Sequence, residues 1–277
     1  MKKARQWLRL LLLVIFLAAS ILLAGKIRNG ISGSAEYEQA REIARGTTPA
    51  SKPERETEPA ATPPTTMETH PPEWIPAPVE EDDPHLQELK EIDLEALRQR
   101  NPDVIGWILL PDTDINYPIM QGTDNDYYLN HTWLGEKNAV GSIFMEHRNR
   151  PDFTEYNTIL YGHNMINGSM FSDLRHYTGE RFHKDHPYVY VVTDDGVLRY
   201  EIFSAYQAEL GSTTYGLSFR QEDTKKEFLI HALRSSKFDM GIPPELTDRI
   251  LTLSTCSGTG GSTRWVVHGR LKMVQVP

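Results

Sequence analysis

The sequence predicts a mostly β domain in which eight short strands close into a barrel, with one helix before the barrel and another between its sixth and seventh strands. Three observations support this fold class. Short runs of apolar residues, or of alternating apolar and polar residues, recur between turn residues through the last two thirds of the chain. Two other segments show the helical period instead. The globular region, 85–277, is long enough to enclose one core.

The first segment, 1–30, predicts a basic cytoplasmic end followed by a transmembrane signal-anchor. Lysines and arginines precede an uncharged apolar run, and the 18 residues from Trp7 to Ala24 would span about 27 Å as a helix. A cleaved signal peptide is the alternative, but no convincing Ala-x-Ala site follows the run. The positive-inside rule then predicts a single-pass cell-membrane protein with its N-terminus in the cytoplasm and the rest outside the cell.

The second segment, 31–84, predicts an extracellular stalk. Its sequence from residue 46 onward is rich in Pro, Thr and Glu and has few aliphatic residues. Such a stretch cannot bury enough apolar surface to offset the entropy of ordering it. It would hold the following domain away from the bilayer. A proline-rich ligand for a partner domain is the alternative interpretation.

The globular region begins with a predicted amphipathic helix that ends at Asn101-Pro102. Its apolar positions form an imperfect stripe at helical spacing, namely Leu86, Leu89, Ile92 or Asp93, Leu94 and Leu97.

The eight predicted strands follow at 105–110, 115–119, 142–145, 157–161, 187–193, 197–208, 249–256 and 264–274. Between the sixth and the seventh, residues 221–236 show the helical period. The apolar face of this predicted helix consists of Phe228, Leu229, Ala232 and Leu233.

Cys256, at the end of the seventh strand, is the only cysteine of the chain. One cysteine cannot form an internal disulfide, so in the predicted extracellular compartment its thiol is a candidate nucleophile. A thiol with an ordinary pKa of about 8.5 is mostly protonated at neutral pH and needs a base or a positive field. The alternative is an inert thiol that fills the core.

Two other residues are candidates to activate that thiol. A seven-residue turn, Ser257 to Thr263, would fold Arg264 back beside Cys256 across an antiparallel pair. His163 lies just beyond a short strand that Gly162 interrupts, where loops commonly carry active-site residues. Taken alone, either residue would be an ordinary surface or core side chain.

These residues resemble the motifs of the sortases, and longer blocks from Leu86 to Val274 resemble class B of that family. One departure is that the turn after Cys256 carries no acidic residue, where some class B members have one. The resemblance implies a sortase-type barrel in which the helix between strands six and seven walls the substrate groove. The matching blocks are Thr252-Leu-Ser-Thr-Cys256 with Arg264, Tyr161-Gly-His-Asn-Met165, Gly106-Trp-Ile, Ile115-Asn-Tyr-Pro-Ile119, Asp126-Tyr-Tyr-Leu-Asn-His131, Gly141-Ser-Ile-Phe-Met145, Asn167-Gly-Ser-Met-Phe171 and Tyr200-Glu-Ile-Phe203.

The implied activity is that of a cysteine transpeptidase. The Cys256 thiolate attacks a peptide carbonyl, and an amine rather than water releases the acyl-enzyme. His163 would carry the proton transfers, since histidine titrates near neutral pH. Arginine cannot give up its proton, so Arg264 would stabilise the thiolate or the developing oxyanion.

The implied substrates are surface proteins that bear a C-terminal sorting signal, such as Asn-Pro-x-Thr-Asn or a Leu-Pro-x-Thr-Gly relative, cut after the threonine. The implied acceptor is an amine of a lipid-linked peptidoglycan precursor, or of a pilin in a pilus-polymerising enzyme. Asn125, Leu129 and Ser254 match groove positions of class B, and these three residues and Thr255 are predicted to bind substrate. The alternatives are a core role for Leu129 and a turn role for Asn125.

Other function classes fit the sequence less well. The net charge of −9 argues against a nucleic-acid partner. We expect no metal and no cofactor, because the chain has no phosphate-binding glycine loop and His183 and His186 lack further ligands at metal spacing. A papain-like protease would place its cysteine before its histidine. Another extracytoplasmic cysteine peptidase and a non-catalytic surface-binding module remain as alternatives.

Overall fold

The computed structural model describes residues 16, 20, 33–46, 83–256 and 262–275. Apart from residues 16 and 20, the predicted anchor, 1–30, lies outside the described residues, as does most of the predicted stalk, 31–84, and both stay predictions. Within the described part of the chain, no helix combines the length and the apolar character needed to cross a bilayer.

Eight strands form a closed barrel, as predicted, with the order β1-β2-β3-β4-β7-β8-β6-β5. Pairing of β1 with β5 closes the ring. The β2–β3 and β4–β7 pairs are parallel and the remaining pairs are antiparallel. The strands are β1 (Val104–Leu109), β2 (Asn116–Met120), β3 (Ile143–Met145), β4 (Asn157–Gly162), β5 (Tyr188–Thr193), β6 (Gly196–Glu209), β7 (Ile250–Cys256) and β8 (Thr263–Gln275), and their bounds agree with the predicted ones to within one residue.

Apolar side chains fill the barrel and a second, smaller core lies beside it. The main core includes fully buried large residues such as Trp107, Phe144 and Tyr200. The second core joins strands β6 and β8 to a helix through Phe203 and Phe228, among others. That helix, α5 (Glu222–Ser235), is the predicted helix between strands six and seven. Leu233, which the sequence assigned to its apolar face, is 38% exposed.

The predicted helix ahead of the barrel is divided into α2 (Pro84–Lys90) and α3 (Leu94–Arg98). The leucines of the predicted stripe are buried in both helices. The break has a local cause, because the side chain of Asp93 accepts a hydrogen bond from the Ala96 N–H at 2.8 Å and so begins a new helix.

A further helix, α1 at residues 33–44, lies in the segment that the sequence assigned to the stalk. Its residues Tyr37, Ala40, Ile43 and Ala44 are buried in the main core. The Trp133 side chain donates to the Glu36 carbonyl at 3.0 Å. This part of the predicted stalk therefore packs on the barrel.

Shorter helices connect the strands. They are the 3₁₀ helices Tyr127–Leu129, Ser172–Thr178 and Thr213–Tyr215 and the α-helix α4 (Glu180–Asp185).

Candidate active site

Three adjacent strands bring the candidate catalytic residues to one edge of the barrel. Strands β4 and β7 are parallel, with Gly162 opposite Thr255, so His163 follows β4 where β7 reaches Cys256. Strand β8 runs antiparallel to β7 and pairs Arg264 with Cys256. This backbone pairing is the one that the sequence predicted. Residues 257–261 of the predicted turn lie outside the described residues.

The ring of His163 is oriented by the backbone of a distant segment. Its Nε2 lies 2.5 Å from the Leu129 carbonyl oxygen. A carbonyl only accepts hydrogen bonds, so this nitrogen carries the proton. The His163 carbonyl accepts from the Phe171 N–H at 2.9 Å. The histidine is therefore held at its ring and at its backbone.

Gly141 packs beside this histidine, in a place where no other residue fits. Its φ is +59°, and a Cβ added there would lie 2.6 Å from the Leu129 carbonyl oxygen and 3.0 Å from Cδ2 of His163. Both the left-handed backbone and the lack of space require glycine. The close approach brings the main chain of Gly141 directly against the histidine ring.

A cavity of about 230 Å³ opens at this edge and gathers the predicted groove residues. Its lining also includes Arg264, which is half-buried and whose Nη1 donates to the Thr263 carbonyl at 3.0 Å. His163 adjoins the cavity through its neighbour Gly162 and its partner Leu129. The lining residues are Asn125, Leu129, Phe144, Tyr161, Gly162, Leu210, Ser254, Thr255 and Arg264.

Two hydroxyl-bearing residues of β7 line this cavity, and their hydroxyls differ in hydrogen bonding. Ser254 Oγ lies 3.0 Å from the hydroxyl of Tyr215. Thr255 Oγ1 is buried and has no hydrogen-bond partner among the described residues. An unpaired buried hydroxyl is costly, so this atom is a position at which a bound ligand would gain a hydrogen bond.

Asn125 and Leu129 each combine a structural contact with a place in the cavity. The side-chain oxygen of Asn125 accepts from the His147 N–H at 3.0 Å, which ties its segment to the residues that follow β3. Leu129 is half-buried and packs against the main core. Each residue also lines the cavity.

A buried carboxylate that the sequence analysis did not single out supports the cavity wall. Glu146, whose side chain is 1% exposed, accepts hydrogen bonds from Asn125 Nδ2 and Arg148 Nε at 2.7 Å each and from the Tyr161 hydroxyl at 3.0 Å. Burial acts to raise its pKa, but the bonds from Arg148, Asn125 and Tyr161 outweigh burial and leave the pKa below its usual range. The group is therefore an anion that orients two lining residues.

Two tyrosines of the site were also missed. Burial and the negative charge of Glu146 raise the pKa of Tyr161, which stays a hydrogen-bond donor. Tyr215 lies on the 3₁₀ helix Thr213–Tyr215, at the start of the excursion between β6 and β7. A charged residue directly after an apolar strand, as Glu146 follows β3, is the one sequence signal that pointed to this network.

The two histidines that were considered as metal ligands each bind a different part of the backbone. His183 Nε2 lies 3.0 Å from the Ile202 carbonyl oxygen, and His186 Nδ1 lies 3.0 Å from the Pro111 carbonyl oxygen. Each ring thus hydrogen-bonds to the backbone instead of converging with the other.

Known proteins are similar to this chain over most of its globular region. The family model described as the Sortase domain matches residues 108–272. Sortase B of Listeria monocytogenes is 38% identical over 184 residues, which are 65% of this chain and 74% of that protein. Sortase B of Staphylococcus aureus is 34% identical over 182 residues, or 66% of this chain and 75% of that protein.

Solved structures give the same result. The Staphylococcus aureus sortase B–substrate complex superposes with a TM-score of 0.63 at 32% identity and covers 68% of this chain and 87% of its own. Sortase B from B. anthracis superposes with a TM-score of 0.67 at 30% identity and covers 89% of this chain and 99% of its own.

Proposed function

The chain belongs to the sortase family, in its class B, and from this membership we propose that it is a cysteine transpeptidase for C-terminal sorting signals. It cleaves the signal after threonine through a thioacyl-enzyme and transfers the protein to an amine. The observation that carries the proposal is the meeting of His163, Cys256 and Arg264 at the ends of three neighbouring strands beside a cavity.

Each of the three residues has its own role in the proposed reaction. The Cys256 thiolate attacks the threonine carbonyl, the peptide bond breaks, and His163 gives a proton to the leaving amine. An acceptor amine then attacks the thioester, His163 takes up its proton, and the thiolate leaves. Because Nε2 donates to the Leu129 carbonyl, the nitrogen that exchanges the proton is Nδ1. Arg264 stabilises the oxyanion formed in both steps.

Sorting-signal recognition is proposed for the cavity. Its wall combines apolar groups with the polar side chains of Asn125 and Ser254. The hydroxyl of Thr255, which has no partner among the described residues, offers a hydrogen bond to a peptide. The similarity to a solved Staphylococcus aureus sortase B–substrate complex supports a substrate site in this fold. The proposed signal is Asn-Pro-x-Thr-Asn or a Leu-Pro-x-Thr-Gly relative.

The acceptor and the location are parts of the same proposal. The basic end and apolar run of residues 1–30 support a membrane anchor with the enzyme outside the cell, in reach of a lipid-linked peptidoglycan precursor. That precursor supplies the acceptor amine. A pilin amine is the acceptor in the alternative, pilus-polymerising activity.

The test is cleavage of a quenched fluorescent sorting peptide with an added amine, followed by mass spectrometry of the enzyme. The parent is expected to form a covalent adduct on Cys256, and Cys256→Ala is expected to form none and to release no product. His163→Ala is expected to lose nearly all turnover, whereas His176→Ala, at a half-exposed histidine that does not line the cavity, keeps it. An adduct or turnover in Cys256→Ala would refute the assignment.

A further inference from the structure

Among the contacts that hold helix α1 on the barrel, those of one buried tyrosine lead toward His163. Tyr37 is 2% exposed, and its hydroxyl donates to the Gly141 carbonyl at 2.5 Å and lies 3.1 Å from Ser142 Oγ. Burial raises the pKa of Tyr37, so the hydroxyl stays protonated and remains a donor. The helix therefore holds the turn at residues 138–141, which the Gly141 N–H closes by donating to the Asn138 carbonyl at 3.1 Å, by a hydrogen bond that water does not reach.

That turn forms one side of the His163 environment. Gly141 approaches the histidine ring and the Leu129 carbonyl so closely that a Cβ would collide with both. The Ser142 N–H donates to the Tyr128 carbonyl at 2.9 Å. A shift of the turn would consequently move either the ring or the carbonyl that accepts its Nε2–H.

The same tyrosine is also linked, through Tyr117, to the segment that follows the histidine. The ring of Tyr37 packs edge-on against Tyr117, with centroids 5.2 Å apart. The Tyr117 hydroxyl accepts from the Met170 N–H at 3.1 Å. Met170 pairs with Asn164, the residue next to His163, and so closes the loop that carries the histidine.

We propose that Tyr37 is a positioning residue for His163, so that helix α1 is a part of the catalytic unit. Both chain segments that hold the histidine are tied to Tyr37, one by a hydrogen bond and one through Tyr117. Tyr37 does not line the substrate cavity, so its effect falls on the proton-transfer geometry and leaves peptide affinity unchanged. The proposal rests on the proposed acid–base role of His163.

The experiment compares Tyr37→Phe, which removes only the hydroxyl, with Ile43→Val, which trims a buried side chain of the same helix. In the full-length protein, Tyr37→Phe is expected to lower kcat for a sorting peptide about tenfold, since small misplacements of a catalytic group cost one to two orders of magnitude. Its KM should stay within about twofold. Ile43→Val is the control for weakened helix packing. It is expected to keep kcat even if its Tm falls as much as that of Tyr37→Phe.

A second measurement observes the histidine itself. In ¹⁵N-labelled protein the His163 ring resonances, assigned by their loss in His163→Gln, report the Nε2–H bond and the ring titration. Tyr37→Phe is expected to move these resonances and the pH profile of kcat, while Ile43→Val moves neither. Tyr117→Phe tests the second route in the same way, and it decides the case if Tyr37→Phe does not fold.

The outcomes separate this proposal from the proposed function. If the parent cleaves the peptide but Tyr37→Phe keeps its kcat and its His163 resonances, the positioning role is overturned. If the parent cleaves no sorting peptide, the proposed function fails, and the resonances alone then decide whether Tyr37 orients the histidine.

Discussion

Lowering the pH is expected to destabilise this protein through one fully buried histidine. His268 is 0% exposed, and burial chiefly, with a contribution from His231, lowers its pKa to about 3. Its two ring nitrogens are both engaged, with Nδ1 at 2.9 Å from Thr252 Oγ1 and Nε2 at 3.0 Å from the Tyr206 hydroxyl. The neutral ring is thus built into the core beneath α5.

The hydrogen bonds around His268 define one arrangement of protons. The Thr252 hydroxyl donates its proton to Asn157 Oδ1 at 2.6 Å, so it accepts from Nδ1–H of the histidine. Nε2 is then the acceptor for the Tyr206 hydroxyl. A second proton on Nε2 would remove that bond and place a charge where no carboxylate among the described residues pairs with His268, so both burial and bonding oppose the cation.

The size of the effect follows from the two pKa values. A histidine in the unfolded chain titrates near 6.5, and His268 in the folded protein titrates near 3. As the pH falls below about 6.5 the unfolded state takes up this proton first, so the stability contribution is complete above that pH and is lost toward pH 3. Between pH 7.5 and pH 5 the loss amounts to about 2 kcal/mol.

The assay is urea unfolding followed by tryptophan fluorescence at pH 7.5 and pH 5.0, on the parent and on His268→Gln. Glutamine offers a donor and an acceptor but does not titrate in this range. Other histidines contribute to both proteins, so the parent should lose about 2 kcal/mol more than His268→Gln over this interval. His176→Gln, at a half-exposed histidine, should behave like the parent. Equal losses in the parent and in His268→Gln would refute the reasoning.

Two further predictions concern the cavity. Arg264→Lys keeps the charge but loses the planar donor set, so kcat for peptide cleavage should fall by about 10²- to 10³-fold. A near-normal kcat would mean that Arg264 contributes only its positive charge. Glu146→Gln keeps the shape but loses the anion that orients Asn125 and Tyr161, so urea unfolding should show a loss of about 2 kcal/mol, and the peptide KM should rise. Asp152→Asn, in a partly exposed ion pair, is its control, and an unchanged KM in Glu146→Gln would contradict the supporting role.

Local sequence signals were enough to predict the barrel and the strand pairing at its candidate catalytic edge. The alternation of apolar and polar residues, together with the turn residues, located all eight strands. A strand that buries one face has apolar side chains at every second position, and this period is visible in the sequence. The short connection between β7 and β8 required an antiparallel pair, which set Arg264 opposite Cys256. His163 was found by its loop position and by the motif around it.

The division of the leading helix depended on a mixture of local and distant contacts. The apolar stripe continues across Asp93 without a break. In the structure, however, the side chain of Asp93 caps α3, and the backbone N–H of Asp93 donates to the Ala44 carbonyl of α1 at 2.9 Å. The periodicity describes which face is buried and carries no information about that backbone contact.

The supports of the site were decided by the tertiary structure. Tyr37 meets Gly141 across 104 residues of sequence, and His163 meets Leu129 across 34. Glu146 becomes a partner of Tyr161 only once β3 and β4 lie side by side, and Asn125 reaches it from the segment that follows β2. A hydrogen bond depends on distance and direction in space, and those are fixed by the closure of the barrel rather than by the spacing of residues along the chain.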